Sequence, residues 1–302
     1  MARMISLHKT TMRGLRASNE DVEKYVLNLD NSGYPKNNNY APIDLCIICD
    51  GHGGDMVSKY VAPKLEYLLM NPKLIYPLSY DNICNIFTYI QDEIKQNPSK
   101  IGSYCGCTAL VVIRYLDKFG KENIQVINIG DCRAIMSKNG LVRTLTKDHK
   151  PFWPDEEKRI ENVNKKYPSN VKNIHHEDGD WRIGDLSVSR SFGDLDNTPH
   201  VTHIPDVYNY KLGPEHEFII MACDGLWDSV QENEAINFVR NHRYHGNTDY
   251  YNIRYVLNGV VMIYPSVEVK NTNNIARKLA SYAIAKGSKD NVSILIMFFD
   301  TK

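Results

Sequence analysis

Apolar residues in this chain collect into runs that meet an aspartate at one end. Ile43-Asp44-Leu45-Cys46-Ile47-Ile48-Cys49 leads into Asp50-Gly51-His52-Gly53-Gly54. Ile124 to Ile129 leads into Gly130-Asp131, and Phe218 to Cys223 leads into Asp224-Gly225. Asp290-Asn291 reverses the order and opens Val292 to Phe299. Near-continuous apolar runs of this length predict strands buried on both faces. Val22 to Leu29 alternates more loosely. Thr108 to Leu116, Ile124 to Ile129 and Ala134 to Ser137 predict an antiparallel meander, followed by a hairpin turn at Lys138-Asn139-Gly140.

Helical spacing follows the glycine-rich loop. From Asp55 to Met70, Val57, Tyr60, Val61, Leu65, Leu68 and Leu69 share one face, with Pro63 bending or offsetting the helix. Tyr80 to Gln96 repeats the pattern with Ile83, Ile86, Phe87, Ile90 and Ile94. Glu232 to Arg240 and Thr272 to Lys286 predict two more helices, the last closed by Gly287. Pro35 to Tyr40 has loop composition, and His242 to Asn271, rich in Tyr, Asn and His, predicts an insertion between two helices.

Carboxylates gathered at the ends of buried strands repel one another unless something positive sits between them. A set of hard oxygen ligands without a Cys/His group suits Mg²⁺ or Mn²⁺. In Asp50-Gly51-His52, the glycine lets the backbone turn sharply and offers a carbonyl to a metal, while His52 projects into the same mouth. Gly14 to Asp21 adds Arg16, whose planar fork suits a phosphate, and Glu20 and Asp21, which can hold metal-bound water. Each piece alone is an ordinary turn or a solvated ion pair. Their weight lies in occurring together and in order.

The chain has 302 residues, enough for one large domain or two small ones, and a formal net charge of zero. No bulk field therefore draws in nucleic acid or an anionic membrane. Of its seven cysteines, Cys46, Cys49, Cys132 and Cys223 lie in or beside apolar runs and read as small hydrophobes. Cys46 and Cys49 would point to opposite faces of a strand, which argues against a zinc or redox pair. The start lacks a secretory pattern, Ala2 stands where myristoylation requires glycine, and no apolar run reaches membrane-spanning length. The expectation is a cytoplasmic, monomeric protein with no membrane or nucleic-acid partner.

Eight segments in order resemble the 2C-type metal-dependent protein serine/threonine phosphatases, the PPM family. They are Gly14-Leu15-Arg16 through Glu20-Asp21, Asp50 to Gly54, Gly106-Cys107-Thr108-Ala109, Asn128 to Ala134, and Leu145-Thr146-Lys147-Asp148-His149-Lys150-Pro151. Leu186 to Asp194, Ala222 to Asp228 and Lys289 to Ser293 complete the set. The resemblance implies an α+β fold: a four-layer αββα sandwich of two central antiparallel β-sheets flanked by helices. It implies one catalytic domain over 1–302, with a flap at about 152–185 and an insertion at about 242–271. It further implies hydrolysis of phosphoserine and phosphothreonine in phosphoprotein substrates by a metal-activated water at a binuclear Mn²⁺/Mg²⁺ centre. Carried over by motif, Asp50 bridges two ions, Asp224 and Asp290 ligate one, and the Gly51 carbonyl helps hold the other. Glu20 and Asp21 act through bound water, and Asp131 joins Asp224 at a weaker third ion. Arg16 grips the substrate phosphate, and His52 protonates the leaving alkoxide.

Other side chains carry plainer expectations. His149 holds a turn, the pairs His175/His176 and His200/His203 lie outside the chemistry, Arg190 has a structural role, and Trp227 is core beneath the site. A pseudophosphatase would lack a ligating aspartate, and none is lost here. A metal-dependent nuclease would call for a basic groove, which zero net charge disfavours. The chain departs from the family after Arg159-Ile160, where Glu161 to Pro168 lacks the usual glycine pair, and in the length of 242–271. If these segments carry specificity, deleting residues 244–268 is expected to change preference among phosphoproteins while sparing a small aryl phosphate. Assays on both substrate types check this; equal loss on both contradicts it.

Overall fold

A computed structural model describes residue 3 and residues 5–27, 43–97, 104–244, 254–257, 260–263 and 273–299. The loop read at 35–40 and most of the 242–271 segment lie outside the described residues. In chain order the first strands are β1 (Ile5–Met12), β2 (Val22–Leu27), β3 (Asp44–Cys49) and the two-residue β4 (Gly51–His52). Next come β5 (Gly106–Cys107), β6 (Ala109–Leu116), β7 (Glu122–Ile129), β8 (Arg133–Lys138) and β9 (Leu141–Thr144). Then follow β10 (Ile174–Glu177), β11 (Asp180–Ile183), β12 (Phe192–Gly193), β13 (Asp206–Lys211) and β14 (His216–Ala222). The hairpin β15 (Arg254–Leu257) and β16 (Val260–Ile263) precedes β17 (Val292–Phe299). The helices are α1 (Met56–Leu69), α2 (Tyr80–Gln96), α3 (Pro154–Lys166), the short α4 (Asp224–Trp227), α5 (Glu232–Tyr244) and α6 (Ile275–Ala285).

Two five-stranded sheets form the centre, one ordered β1-β17-β14-β8-β9 and the other β13-β7-β6-β3-β2. Their ladders are antiparallel throughout. The period-2 alternation of strand side chains sorts the core into three apolar layers. In β3, Leu45, Ile47 and Cys49 pack with α1 and α2, while Cys46 and Ile48 pack between the sheets. In β17, Ile294, Ile296 and Phe298 pack with α5 and α6, while Leu295 and Met297 join the layer between the sheets. Helix, sheet, sheet, helix is the order these layers impose, as the motifs imply. Each fully buried Ile or Leu contributes about 1.5–3 kcal/mol of transfer free energy.

The expected three-strand meander is wrong at its third strand. β6 and β7 pair, but the chain turns at Gly130 (φ +93°) and delivers β8 to the other sheet, beside β14. Apolar alternation marks a strand and says nothing about which sheet takes it. The hairpin at Asn139-Gly140 does form: both residues have positive φ, and Lys138 pairs with Leu141. β1 escapes the sequence reading because it is a half-buried edge strand carrying Lys9, Thr10 and Thr11. α5 also runs to Tyr244 rather than stopping at Arg240. As expected, Cys46 and Cys49 fall on opposite faces. Among the described residues no helix is long and apolar enough to cross a membrane.

Arg114 of β6 is fully buried and cross-strand from Asp44. Its guanidinium donates to Asp44 Oδ2 at 2.6 Å, to Glu122 Oε1 at 2.8 Å and to the Arg3 carbonyl at 2.7 Å. Asp44 opens β3 and Asp50 follows it, so this knot ties the strand at the end away from the aspartate cluster. Arg114→Ala would take the guanidinium away from buried Asp44, while Glu122 keeps Arg3 at 2.7 Å, and is expected to lower unfolding free energy by about 3–5 kcal/mol. Urea denaturation checks it; a loss under 1 kcal/mol would show that the knot relaxes by admitting water.

Candidate metal centre

Antiparallel register explains why acids distant in sequence meet. Val22 pairs with Cys49, so Asp21, just before β2, lies beside Asp50, just after β3. Ala222 pairs with Ile294, so Asp224 after β14 and Asp290 before β17 reach the same sheet end. Asp131 arrives through the β7 crossover. Ligand atoms of Asp50, Asp131 and Asp224 lie within 4.8 Å of one another, as do those of Asp21, Asp50 and Cys223. Asp50, Asp131 and Asp224, with Arg16, Glu20, Gly51, His52 and Asp290, line a cleft of about 490 Å³, and Asp21 lies buried behind Asp50.

The charges in this group are expensive. Burial, then repulsion from Asp21, Asp224 and Asp131, pushes Asp50 well above the ordinary carboxylate range. Asp224 rises for the same reasons, with Asp131 and Asp228 as its neighbours. Burial lifts Asp21 to about 6. Ser293 and Cys223 stand near enough to ease its charge, yet neither Asp21 oxygen closes a well-formed hydrogen bond. Orphaned buried oxygens and mutually repelling carboxylates are what a hard divalent cation would satisfy. Cys223 does not fit as a ligand. Burial raises its thiol pKa well above normal, and its sulfur is tied to Asn291 O and the Ser293 N–H.

The remaining site residues fall in distinct places. Arg16 reaches Asp290 Oδ2 at 2.5 Å through Nη2 and keeps more than half its side chain exposed. Glu20 braces the glycine-rich loop, its Oε2 accepting the Gly54 N–H at 2.9 Å. Gly51 lines the cleft and packs so closely on the Glu20 carbonyl that a Cβ would sit 2.4 Å from it. His52 Nε2 lies 2.8 and 2.9 Å from the two oxygens of Asp194. Burial alone would lower the imidazole's pKa, but the Asp194 carboxylate outweighs it and the net shift is upward.

Several contributors carry no signal that the strand-end reading could weigh. Asn291 stitches the Arg16 loop in place, donating to the Arg13 and Ser18 carbonyls at 2.8 and 2.9 Å and accepting the Glu20 N–H at 2.8 Å. Asp194, buried and in left-handed backbone at φ +46°, holds His52. Lys150 donates to Asp131 at 2.5 Å. Arg182 and Asp185 of the flap also line the cleft. Their motifs were visible, but which residue in each reaches the site depends on the fold. His149 holds a turn as expected, its Nδ1 accepting the Gly130 N–H at 3.1 Å. Arg190 is structural, chelating Glu156 and Asp206. Trp227 is buried, its indole N–H donating to Ala222 O at 3.0 Å.

A carboxylate-lined cleft at one end of a four-layer αββα sandwich could hold a hard cation. Comparison with known proteins narrows the reading. The family model described as Protein phosphatase 2C matches residues 5–292, and the chain belongs to that family. A PP2C-like domain-containing protein of Acanthamoeba polyphaga mimivirus is 62% identical over 179 residues, covering 59% of this chain and 96% of the relative. A rice (Oryza sativa subsp. japonica) protein named "Probable protein phosphatase 2C 7" is 30% identical over 96% of this chain. The chain spans only 64% of that relative's length. The solved structure of a phosphatase from a pathogenic Toxoplasma gondii strain shares the fold, with TM-score 0.73 and 19% identity over all of this chain and 94% of that one. A Caenorhabditis elegans sex-determining protein shares it too, with TM-score 0.75 and 22% identity over 99% of this chain and 65% of that one.

Raised carboxylate pKa values have a definite sign. Folding favours the protonated form of Asp21, so its contribution to stability is complete below the ordinary value of 3.8 and is lost as pH rises through about 6. A cation binds the deprotonated set and offsets that loss. The gain in Tm from 1 mM Mn²⁺ is therefore expected to be several degrees larger at pH 7 than at pH 5. Thermal melts with Mn²⁺ and with chelator check this; an equal gain at both pH values contradicts it.

Proposed function

We propose that this chain is a divalent-cation-dependent phosphatase acting on phosphoserine and phosphothreonine in proteins. The observation that carries the reading is the convergence of Asp50, Asp131 and Asp224 on one spot in a chain of the 2C family, with Arg16 and His52 on the rim of the same cleft. Asp50, Asp224, Asp290 and the Gly51 carbonyl would hold two Mn²⁺ or Mg²⁺ ions, with Glu20 and Asp21 at the edge and Asp131 serving a weaker third. Ions bound there supply Lewis-acid polarisation of the phosphoryl group and activation of water.

The protein's own groups divide the remaining work. Arg16 is exposed and, among the described residues, is paired through Nη2 with Asp290, which leaves most of its fork for a phosphate. A phosphate bound there shares the guanidinium with Asp290 and is oriented by it. His52 has Nε2 committed to Asp194, which leaves Nδ1 to donate its proton to the leaving serine or threonine oxygen. The upward shift of His52, set by Asp194 against the effect of burial, favours the protonated imidazole that a general acid requires. Ser191, which also bonds Asp194, fixes the carboxylate behind the histidine.

Phosphate release from a phosphothreonine peptide, measured with Mn²⁺ and with chelator, tests the reading. Activity is expected with Mn²⁺ and lost with chelator, and Asp50→Ala or Asp224→Ala should abolish it without unfolding the chain. Silence of the wild-type chain at millimolar Mn²⁺ would sink the proposal. His52→Ala is expected to slow the peptide by about 10²–10⁴ and an aryl phosphate with a good leaving group far less. Similar losses on both substrates would remove His52 as the acid.

A further inference from the structure

We infer that Lys150 is a built-in cation on the Asp131 side of the cleft, occupying charge that a third divalent ion would otherwise take and so keeping that ion's binding weak. The inference rests on the proposed metal-dependent function and adds a residue that controls how many ions the cleft holds.

Lys150 Nζ lies 2.5 Å from Asp131 Oδ2, and both side chains are largely buried. Its charge also acts on Asp224, on Asp228 in the next turn and on Asp148, while Asp180 of the flap hairpin acts on it in turn. The ammonium thus sits among carboxylates from β7, β14 and the flap, as a metal ion would. Its backbone is pinned there. The His149 N–H bonds Gly130 O at 2.9 Å, the Ser189 N–H bonds His149 O at 2.9 Å, and the Trp153 N–H bonds Lys150 O at 3.1 Å. The Asp21 side of the cleft is different: there, neither carboxylate oxygen of Asp21 closes a hydrogen bond. One side of the cleft is given a cation by the chain itself, and at the other the carboxylate oxygens of Asp21 are left needing external charge.

An ammonium and a divalent cation that share the Asp131 carboxylate compete for its charge, and they repel across the few ångströms between them. A nearby charge shifts a carboxylate's affinity for a proton by about one to three powers of ten. Loss of Lys150 should change the affinity for a competing divalent ion on a similar scale.

The test is Mn²⁺ titration of the full chain by calorimetry, with free Mn²⁺ followed by electron paramagnetic resonance, for wild type, K150Q, K150M and K150R. Wild type is expected to bind two ions and a third more weakly. K150Q and K150M should tighten the third by at least about tenfold, a larger change than any in the first two, and K150R should match wild type. Adding Asp131→Asn to K150Q should abolish the tightened site. A third-ion affinity in K150Q and K150M equal to wild type overturns the inference while the metal reading stands. K150R behaving like K150Q overturns it too, because shape rather than charge would be in control. Absence of any Mn²⁺ binding in wild type overturns this inference and the proposed function together. Circular dichroism reports folding, and K150M, which keeps the apolar stem, serves if K150Q is unstable.

Discussion

Mutual repulsion among buried aspartates is the constraint around which this molecule is arranged. Asp21, Asp50, Asp131, Asp224 and Asp290 stand at one end of the sandwich, and burial raises Asp21, Asp50 and Asp224 above the ordinary carboxylate range. No local hydrogen-bond pattern would choose that arrangement. It persists because the strands that carry these residues are locked by three apolar layers and by antiparallel ladders whose register leaves no freedom at the strand ends. At the opposite end of β3, Arg114 and Arg3 hold Asp44 and Glu122 in a knot of opposite charges. The sandwich is thus saturated in charge at one end and short of positive charge at the other.

The protein's own cations are distributed unevenly over that starved end. Arg16 meets Asp290 at the exposed rim, where its pairing is readily exchanged for another anion. Lys150 meets Asp131 in a buried position on a clamped loop, where exchange is difficult. His52 turns one ring nitrogen away from the acids, to Asp194, in a contact so tight that Gly106 must be glycine: a Cβ there would lie 2.1 Å from Asp194 Oδ2 and 2.4 Å from His52 Nε2. The mini-sheet of β4, β5 and β12 therefore sets the imidazole's direction through backbone geometry.

Strong periodicity made most of this legible in the sequence. Runs such as Phe218 to Cys223 and the helical faces of 55–70 and 80–96 state their own structure, and an acid at a strand end states its own position. The edge strand at Ile5–Met12 did not, because a half-buried strand with polar neighbours has too little contrast. The passage of β8 to the second sheet was equally silent, since burial on both faces is the same in either sheet. Partnerships such as Arg16 with Asp290, 274 residues apart, exist only once the sheets are assembled. The motifs containing Lys150, Asp194 and Asn291 were recognisable as segments. Which atom in each segment does the holding is a matter of three-dimensional distance.

Charge, more than apolar packing, fastens α3 to the sandwich. Glu156 of α3 is buried between Arg159 and Arg190, with Arg190 at 2.5 Å, and those guanidiniums hold its carboxyl well below the usual range despite its burial. Arg190 also bonds Asp206 of β13, so α3 is fastened to a central sheet through a desolvated ion network. Breaking such a network leaves an uncompensated charge, which makes rigid-body departure of α3 costly. Beyond it the β10–β11 hairpin has Trp181 exposed beside Phe152 and Trp153, and sends Arg182 back into the cleft. The region from α3 to β11 thus has a fixed base and an exposed aromatic face beside Arg182 of the cleft.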